Sequence, residues 1–128
     1  MRALLDTQTL IWASTSDRRL PFRVQRILDD ESSELVLSVV SAWEITEKVK
    51  SGKLSLGANP TTYLTQELRG NGVELLPLEL NHVLRADGLS REDGDDFDRL
   101  IAAQAIEEGL AVLTGDPVFK EYPVSVLW

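Results

Sequence analysis

The residues of this chain best suited to chemistry are acids, and they are concentrated just before a helical pattern that ends at Gly109. Five acids lie within seven positions of this stretch: Glu92, Asp93, Asp95, Asp96 and Asp98. Asp95 or Asp96 suits the N-cap of the helix, because a short carboxylate accepts hydrogen bonds from the free N–H groups of the first turn. Gly94, directly before them, allows the preceding loop to bend tightly.

Asp98 lies one turn inside this helix, so capping does not explain it. It shares the side of the helix that carries Ile101, Ala102 and Ala105, which follow at spacings of three, four and seven. A charge at the end of a core-facing stripe is costly unless something pairs with it. The helix dipole offsets part of that cost, and a divalent cation would offset more.

Two further acids, Asp6 and Asp116, each follow a short apolar strand, Ala3–Leu5 and Ala111–Leu113. In open parallel α/β sheets, ligands bind at the carboxyl edge of the strands. A simple turn is the competing interpretation for Asp116, because its glycine and proline neighbours also favour turns.

Glu44 has two interpretations. A strand predicted over Leu35–Ser41 is followed by a helix that Ser41 would cap, and Ser41 with Glu44 matches the spacing of a capping box. The alternative is that Glu44, like Asp98, lies in the first turn of a helix at the sheet edge and belongs to the same site.

Asp6, Glu44, Asp98 and Asp116 can therefore converge on one pocket, since strand carboxyl ends and the following helix N-termini share one edge of a parallel sheet. One pair of carboxylates about 4 Å apart costs roughly 4 kcal/mol at an effective dielectric near 20. Mg²⁺ or Mn²⁺ would remove this repulsion and prefers oxygen ligands. With no cysteine and one histidine in the chain, a zinc site is not expected. Such a pocket suits metal-assisted phosphoryl chemistry.

The elements that must position these acids alternate along the chain, which predicts an α/β fold with a parallel sheet covered by helices on both faces. The remaining strands are predicted over Val73–Leu76 and Val124–Leu127. Helices are predicted over Leu10–Ser14, from Pro21 to Asp29, from Ser41 to Gly52, and over Thr62–Arg69 and Glu79–Asp87, before the acid-headed helix. Thr7 or Thr9 would cap the first of these helices, and Pro21 would open the second. His82 is interpreted as a partly exposed structural residue.

The chain has 128 residues, 43% of them hydrophobic, which predicts a single domain over residues 1–128. The net charge of −8 argues against general attraction to nucleic acid, although not against a nuclease whose acids bind metal. No apolar run is long enough to span a membrane, and no signal peptide pattern is present, so a cytoplasmic location is expected.

Four segments together resemble the PIN domain family, and specifically VapC-type toxin ribonucleases: LLDTQTLIW, LSVVSAWEITEKVKSGKL, DFDRLIAAQAIEEGL and VLTGDPVFKEYPV. The resemblance implies a three-layer α/β/α fold with about five parallel strands and Mg²⁺- or Mn²⁺-dependent RNA cleavage. It also implies a VapB-like antitoxin that inserts a basic side chain into the pocket, and frequent homodimers. The family's metal-binding and catalytic acids carry over as Asp6, Glu44, Asp98 and Asp116, with Asp95 and Thr114 as auxiliary candidates.

This chain departs from the resemblance before Asp98, where relatives often read His-Arg-Asp-Pro-Phe-Asp-Arg. Asp93 and Asp96 occupy the histidine and proline positions, which makes the pocket mouth more negative and removes any RNA contact of that histidine. Arg99, Lys48 and Lys53 are candidates for phosphate contacts, although a surface charge is the simpler interpretation of each.

Two other classes remain open. One is a phosphotransfer domain of the haloacid-dehalogenase or receiver type, in which Asp6 would be phosphorylated; Gln8 stands where the dehalogenase pattern has its second acid. The other is a non-catalytic acidic interaction module.

Overall fold

The computed structural model describes residues 1–89 and 95–128, and five short parallel strands organise it. They are β1 (Arg2–Leu5), β2 (Glu34–Ser38), β3 (Glu74–Leu76), β4 (Ala111–Leu113) and β5 (Val126–Leu127). The strand order across the sheet is β3-β2-β1-β4-β5, and every pairing is parallel. Because the order reverses beside β1, the two halves of the sheet are wound in opposite directions, and such a switch point is where open α/β sheets bind ligands.

Six α-helices connect the described strands: α1 (Thr7–Ser14), α2 (Phe22–Asp29), α3 (Val39–Lys50), α4 (Pro60–Thr65), α5 (Leu80–Asp87) and α6 (Asp96–Glu108). A π-helical turn, Gln66–Gly70, continues α4, and a 3₁₀ turn, Pro117–Glu121, precedes β5. None of the helices described is both long and apolar enough to cross a membrane.

The core has two layers, one on each face of the sheet. Leu4 of β1 packs with Ile101 of α6 and Phe119, whereas its neighbour Leu5 packs with Leu10 of α1 and with residues of α2 and α3. Successive side chains of a strand point to opposite faces, so an entirely apolar strand is the expected solution for a sheet covered on both sides. The predicted three-layer α/β/α fold is thereby confirmed.

Several predicted boundaries are wrong in an informative way. The second strand ends at Ser38 instead of Ser41, and the Ser38 side chain caps α3 by accepting from the Val40 N–H. Both sides of this boundary are apolar, so hydrophobicity alone could not place it. Ser41 is consequently buried inside the helix, and the predicted Ser41–Glu44 capping box does not exist.

Two other predicted helix starts are corrected in the same way. Asp6 itself caps α1 by accepting from the Thr9 N–H, so Thr7 and Thr9 are helical residues and not caps. Pro21 takes the N-cap position of α2, one residue before the predicted first helical position.

His82 is fully buried and not partly exposed. Its Nδ1 accepts from the Glu79 N–H at the start of α5. At the C-terminal end of α6, Gly109 adopts a left-handed conformation (φ 65°) and closes the helix, as predicted. The predicted tight bend at Gly94, together with Glu92 and Asp93, lies outside the described residues.

Candidate active site

The four predicted acids line one cleft at the carboxyl edge of the sheet. Asp6, Glu44, Asp98 and Asp116 border a space of about 600 Å³, together with Asp95. They come from four separate parts of the chain: the end of β1, the second turn of α3, the first turn of α6 and the loop after β4. The fold thus brings together all four side chains that the sequence pattern singled out.

Asp6 is the most constrained acid of the cleft. Only 6% of it is exposed, and both of its carboxylate oxygens are engaged. Oδ1 accepts from the Thr9 N–H at 2.7 Å, and Oδ2 accepts from the Thr114 hydroxyl. Burial raises the pKa of Asp6 and the charge of Asp116 adds to this, while the hydrogen bonds from Thr114 and Thr9 oppose it. The auxiliary candidate Thr114 therefore lies directly behind the cleft, as a donor to Asp6.

Glu44 is almost as deeply buried, at 4% exposed. Its Oε1 accepts from the Thr7 hydroxyl at 2.5 Å, and its Oε2 forms an ion pair with Lys48 one turn further along α3. Because α3 begins at Val39, Glu44 cannot form a capping box with Ser41. Its carboxylate instead contacts Thr7 and Lys48 and lines the cleft. A buried, doubly engaged acid is held in one orientation.

The Lys48 side chain is 43% exposed, and its ammonium nevertheless lines the cleft and pairs with Glu44. Burial by itself would lower the pKa of the Lys48 ammonium, but the hydrogen bond with Glu44 and the charges of Glu44, Asp95 and Asp98 outweigh it and raise that pKa. The spacing of four between Glu44 and Lys48 was the sequence signal for this contact, because such pairs lie side by side on a helix.

Arg99, the second candidate for phosphate binding, is a buried residue and not a surface charge. It is 8% exposed, and its Nη2 donates to Asp96 Oδ1 at 2.8 Å. Arg99 does not line the cleft, whereas the exposed Lys53 does. Of the three cations considered, Lys48 and Lys53 are the ones within reach of a bound ligand.

Asp95 and Asp98 act as a pair at the start of α6. Asp95 is the N-cap, as predicted, and its Oδ1 accepts from the Asp98 N–H at 2.8 Å. Asp98 is half-buried, and its pKa is raised to about 7. Burial is the main cause, followed by the charge of Asp95 and a hydrogen bond with its side chain, and then by the charges of Asp116 and Glu44. The sensitivity of Asp98 to three other acids is the electrostatic signature of a shared cleft.

Asp116 both caps a turn and lines the cleft, which bears on the two interpretations of this residue. Its Oδ1 accepts from the Val118 N–H at 3.0 Å and caps the 3₁₀ turn, which is the turn interpretation. Its own N–H donates to the Thr114 hydroxyl at 3.0 Å, which ties it to Asp6 through one threonine. The same geometry presents Asp116 to the cleft, so the two roles are compatible.

One wall of the cleft is aromatic and cationic, and no sequence pattern predicts it. Trp12 and Trp128 lie with ring centroids 6.0 Å apart, and the Arg19 guanidinium lies 4.4 Å from the Trp12 ring centroid. The indole of Trp128 also packs on Gly115, where a Cβ would approach it to 2.5 Å. Trp12 and Trp128 lie at opposite ends of the sequence, so only the folded chain shows that they meet beside the acids.

The donor set of the cleft fits a hard divalent cation in its chemistry. It offers carboxylate oxygens, and the pKa values of Asp6 and Asp98 are raised by burial and by the charges of neighbouring acids, which a cation would relieve. In the part of the chain that the structure describes, no three acidic or histidine side chains are close enough to hold an ion as they stand. Lys48 on Glu44 and Thr114 on Asp6 occupy oxygens that such an ion would use.

The fold is similar to that of several solved structures. VapBC2 from Rickettsia felis, bound to a DNA fragment from its promoter, matches with a TM-score of 0.74 and 19% identity over 99% of this chain and 98% of that chain. DNA-bound VapBC from Salmonella typhimurium matches with a TM-score of 0.72 and 18% identity over 99% and 97%. FitAcB from Neisseria gonorrhoeae matches with a TM-score of 0.61 and 23% identity over 100% and 97%.

By sequence, no curated protein is similar enough to match the chain. The sequence profile of the PIN domain nevertheless matches residues 3–124, which include every acid of the cleft. The fold, the acidic cleft at the switch point and this match agree with one another. The chain therefore belongs to the PIN domain family.

Proposed function

We propose that this protein is a metal-dependent endoribonuclease and the toxin of a VapBC-type toxin–antitoxin pair. The observation that carries the proposal is the convergence of Asp6, Glu44, Asp98 and Asp116 on one cleft of a PIN domain. PIN domains are generally nucleases, and the similar structures are VapBC and FitAB proteins. The four acids act on a phosphodiester of RNA, with Mg²⁺ or Mn²⁺ as the cofactor.

The residues that would hold the cation are Asp6, Glu44, Asp98 and Asp116. When bound, the cation supplies a water of lowered pKa and neutralises charge on the leaving oxygen. Thr9 and Thr114 fix both oxygens of Asp6, and Thr7 fixes Glu44, so these carboxylates lose little conformational freedom on loading. Asp98, with a pKa raised to about 7, would release its proton as it takes up its share of the cation.

The aromatic wall supports a nucleic acid substrate in spite of the net charge of −8. Aromatic side chains stack on bases without regard to sequence, and arginine and lysine attract the phosphate backbone. Trp128, Arg19 and Lys53 all line the cleft beside the acids. A strand can therefore meet favourable contacts on one side of the scissile phosphate while the acids face it on the other.

The proposed partner is a VapB-like antitoxin, because similar structures were solved as toxin–antitoxin complexes, including one from Klebsiella pneumoniae. An antitoxin that inserts a basic side chain would place a positive charge among the acids of the cleft. A homodimer, a cytoplasmic location and a single domain over residues 1–128 stay predictions.

The proposal is tested by RNA cleavage with purified protein. Asp6→Asn and Asp116→Asn each remove one charge at nearly constant shape, and we expect both to lose cleavage of a mixed single-stranded RNA by at least about a hundredfold. Asp96→Asn removes the same charge outside the cleft and should retain cleavage. EDTA should abolish activity, and Mg²⁺ or Mn²⁺, but not Ca²⁺, should restore it.

Retained cleavage in Asp6→Asn would contradict the proposal. So would an Asp6 that is phosphorylated by a small phosphodonor, because a covalent phosphoaspartate belongs to the phosphotransfer class. A protein that binds RNA equally well with and without these substitutions but never cleaves it would instead be a non-catalytic module.

A further inference from the structure

One of the cations that line the cleft, the ammonium group of Lys48, pairs with a proposed site acid. This ammonium pairs with Oε2 of Glu44, whose other oxygen is taken by the Thr7 hydroxyl. The two side chains differ in burial, with 6% of the Glu44 side chain exposed against 43% of the Lys48 side chain. Glu44 is therefore a buried charge that depends on a neighbour which is itself free to leave towards solvent.

The contact between Lys48 and Glu44 requires little ordering of the chain, because both residues lie in α3. Glu44 precedes Lys48 by four residues within α3, and this order of charges is the more favourable one on a helix. Both residues are in the middle and last turns of a single rigid element, so the contact needs no long-range folding. A long flexible lysine chain can also re-aim by rotamer changes without moving the helix.

Lys48 occupies an oxygen that a divalent cation would need. Asp95 and Asp98 line the same cleft, and their charges act on the Lys48 ammonium together with that of Glu44. In the described part of the chain the carboxylates do not form a closed cation cage, and Glu44 is in contact with Lys48.

We propose that Lys48 is a built-in counter-ion of Glu44 that occupies the cleft without metal and competes with the divalent cation for that carboxylate. The inference rests on the proposed metal-dependent function. Its consequence is a protein that folds without metal but binds the cation more weakly than its four acids alone would. Lys48 is thus a positioning residue that sets the cation concentration at which the cleft becomes loaded.

The test is a calorimetric titration of Mn²⁺ into metal-free full-length protein, combined with thermal unfolding in EDTA. We expect Lys48→Met to bind Mn²⁺ about fivefold or more tightly, in keeping with the modest strength of a partly exposed ion pair, and yet to unfold at a lower temperature in EDTA. Lys53→Met, which removes a lysine of the same cleft that has no carboxylate partner among the described residues, should change neither quantity. Lys48→Arg should stay within about twofold of the wild type, since it keeps the charge.

The opposed directions of the two readouts distinguish this role from a purely structural one. If Lys48 merely braced α3, Lys48→Met would loosen the cleft and weaken Mn²⁺ binding. If the wild type binds Mn²⁺ and Lys48→Met binds it equally or more weakly, the inference is overturned, but the proposed nuclease function is not. If neither protein binds Mn²⁺, the inference and the proposed metal dependence fail together. Lys48→Gln, a polar and uncharged replacement, gives the same comparison if the methionine variant does not fold.

Discussion

Replacing Asp98 by asparagine should stabilise the metal-free protein, and the effect should depend on pH. The pKa of Asp98 in the folded state is about 7, against an ordinary value of 3.8. A pKa raised by folding means that the folded protein holds the proton more tightly than the unfolded chain. The stability that Asp98 contributes is therefore lost as the pH rises from about 4 to about 7, and this loss stays constant at higher pH.

The magnitude follows from the two values. At about 1.4 kcal/mol for each pKa unit, the difference corresponds to roughly 4 kcal/mol. Asp98 is only half-buried, so solvent screening reduces this to about 2 kcal/mol. At pH 5 only about a third of the interval between the two pKa values has been crossed, so the loss of stability there should be about a third of that at pH 8. Asparagine removes the ionisation while it preserves the shape.

The assay is urea unfolding in EDTA at pH 5 and pH 8, followed by circular dichroism. We expect Asp98→Asn to gain about 2 kcal/mol at pH 8 and clearly less at pH 5. Asp96→Asn, which alters an exposed acid in the same helical turn that pairs with Arg99, should be neutral or slightly destabilising at both values. With Mg²⁺ present, the wild type should recover more stability than Asp98→Asn, because a bound cation stabilises the folded state.

A destabilised Asp98→Asn at pH 8 in EDTA would refute this reasoning, since it would mean that the ionised carboxylate is favourable where it lies. An equal gain at both pH values would refute it as well. The gain would then come from packing or helix propensity and not from a shifted proton equilibrium.

Two further predictions concern local structure. Ser38→Ala should lower the free energy of unfolding by about 1–2 kcal/mol, because it removes the cap of α3. Ser41→Ala should be neutral or stabilising, because its hydroxyl is buried without a hydrogen-bond partner among the described residues. The opposite result in urea unfolding would indicate that Ser41, and not Ser38, caps the helix. Gly115→Ala should displace the Trp128 indole, change the tryptophan fluorescence spectrum and lower the free energy of unfolding by about 1–3 kcal/mol. Gly70→Ala, in which the nearest atom would be 3.8 Å from the new Cβ, should change neither the spectrum nor the stability. An unaltered spectrum in Gly115→Ala would contradict the close packing.

The order of strands and helices could be predicted from the sequence because local composition determines it. An apolar strand such as the one before Asp6 is buried on both faces wherever it lies in the sheet, and Gly109 ends a helix through its own backbone freedom. Boundaries were less certain where both sides were equally apolar. The sequence pattern therefore placed the boundary between β2 and α3 at Ser41, whereas the structure has it at Ser38. The choice of cap depends on which hydroxyl reaches a free N–H group in three dimensions.

The sequence by itself determined which acids belong together, since strand ends and helix starts in a parallel sheet share one edge whatever the details of packing. Only the tertiary structure decided what surrounds each acid. Thr114 and Asp6 are far apart in the chain, as are Thr7 and Glu44, and the pKa of Asp98 depends on burial and on acids from other elements. Such contacts depend on distances between elements, which no local pattern encodes, and they set the charge that the cleft carries before any ligand arrives.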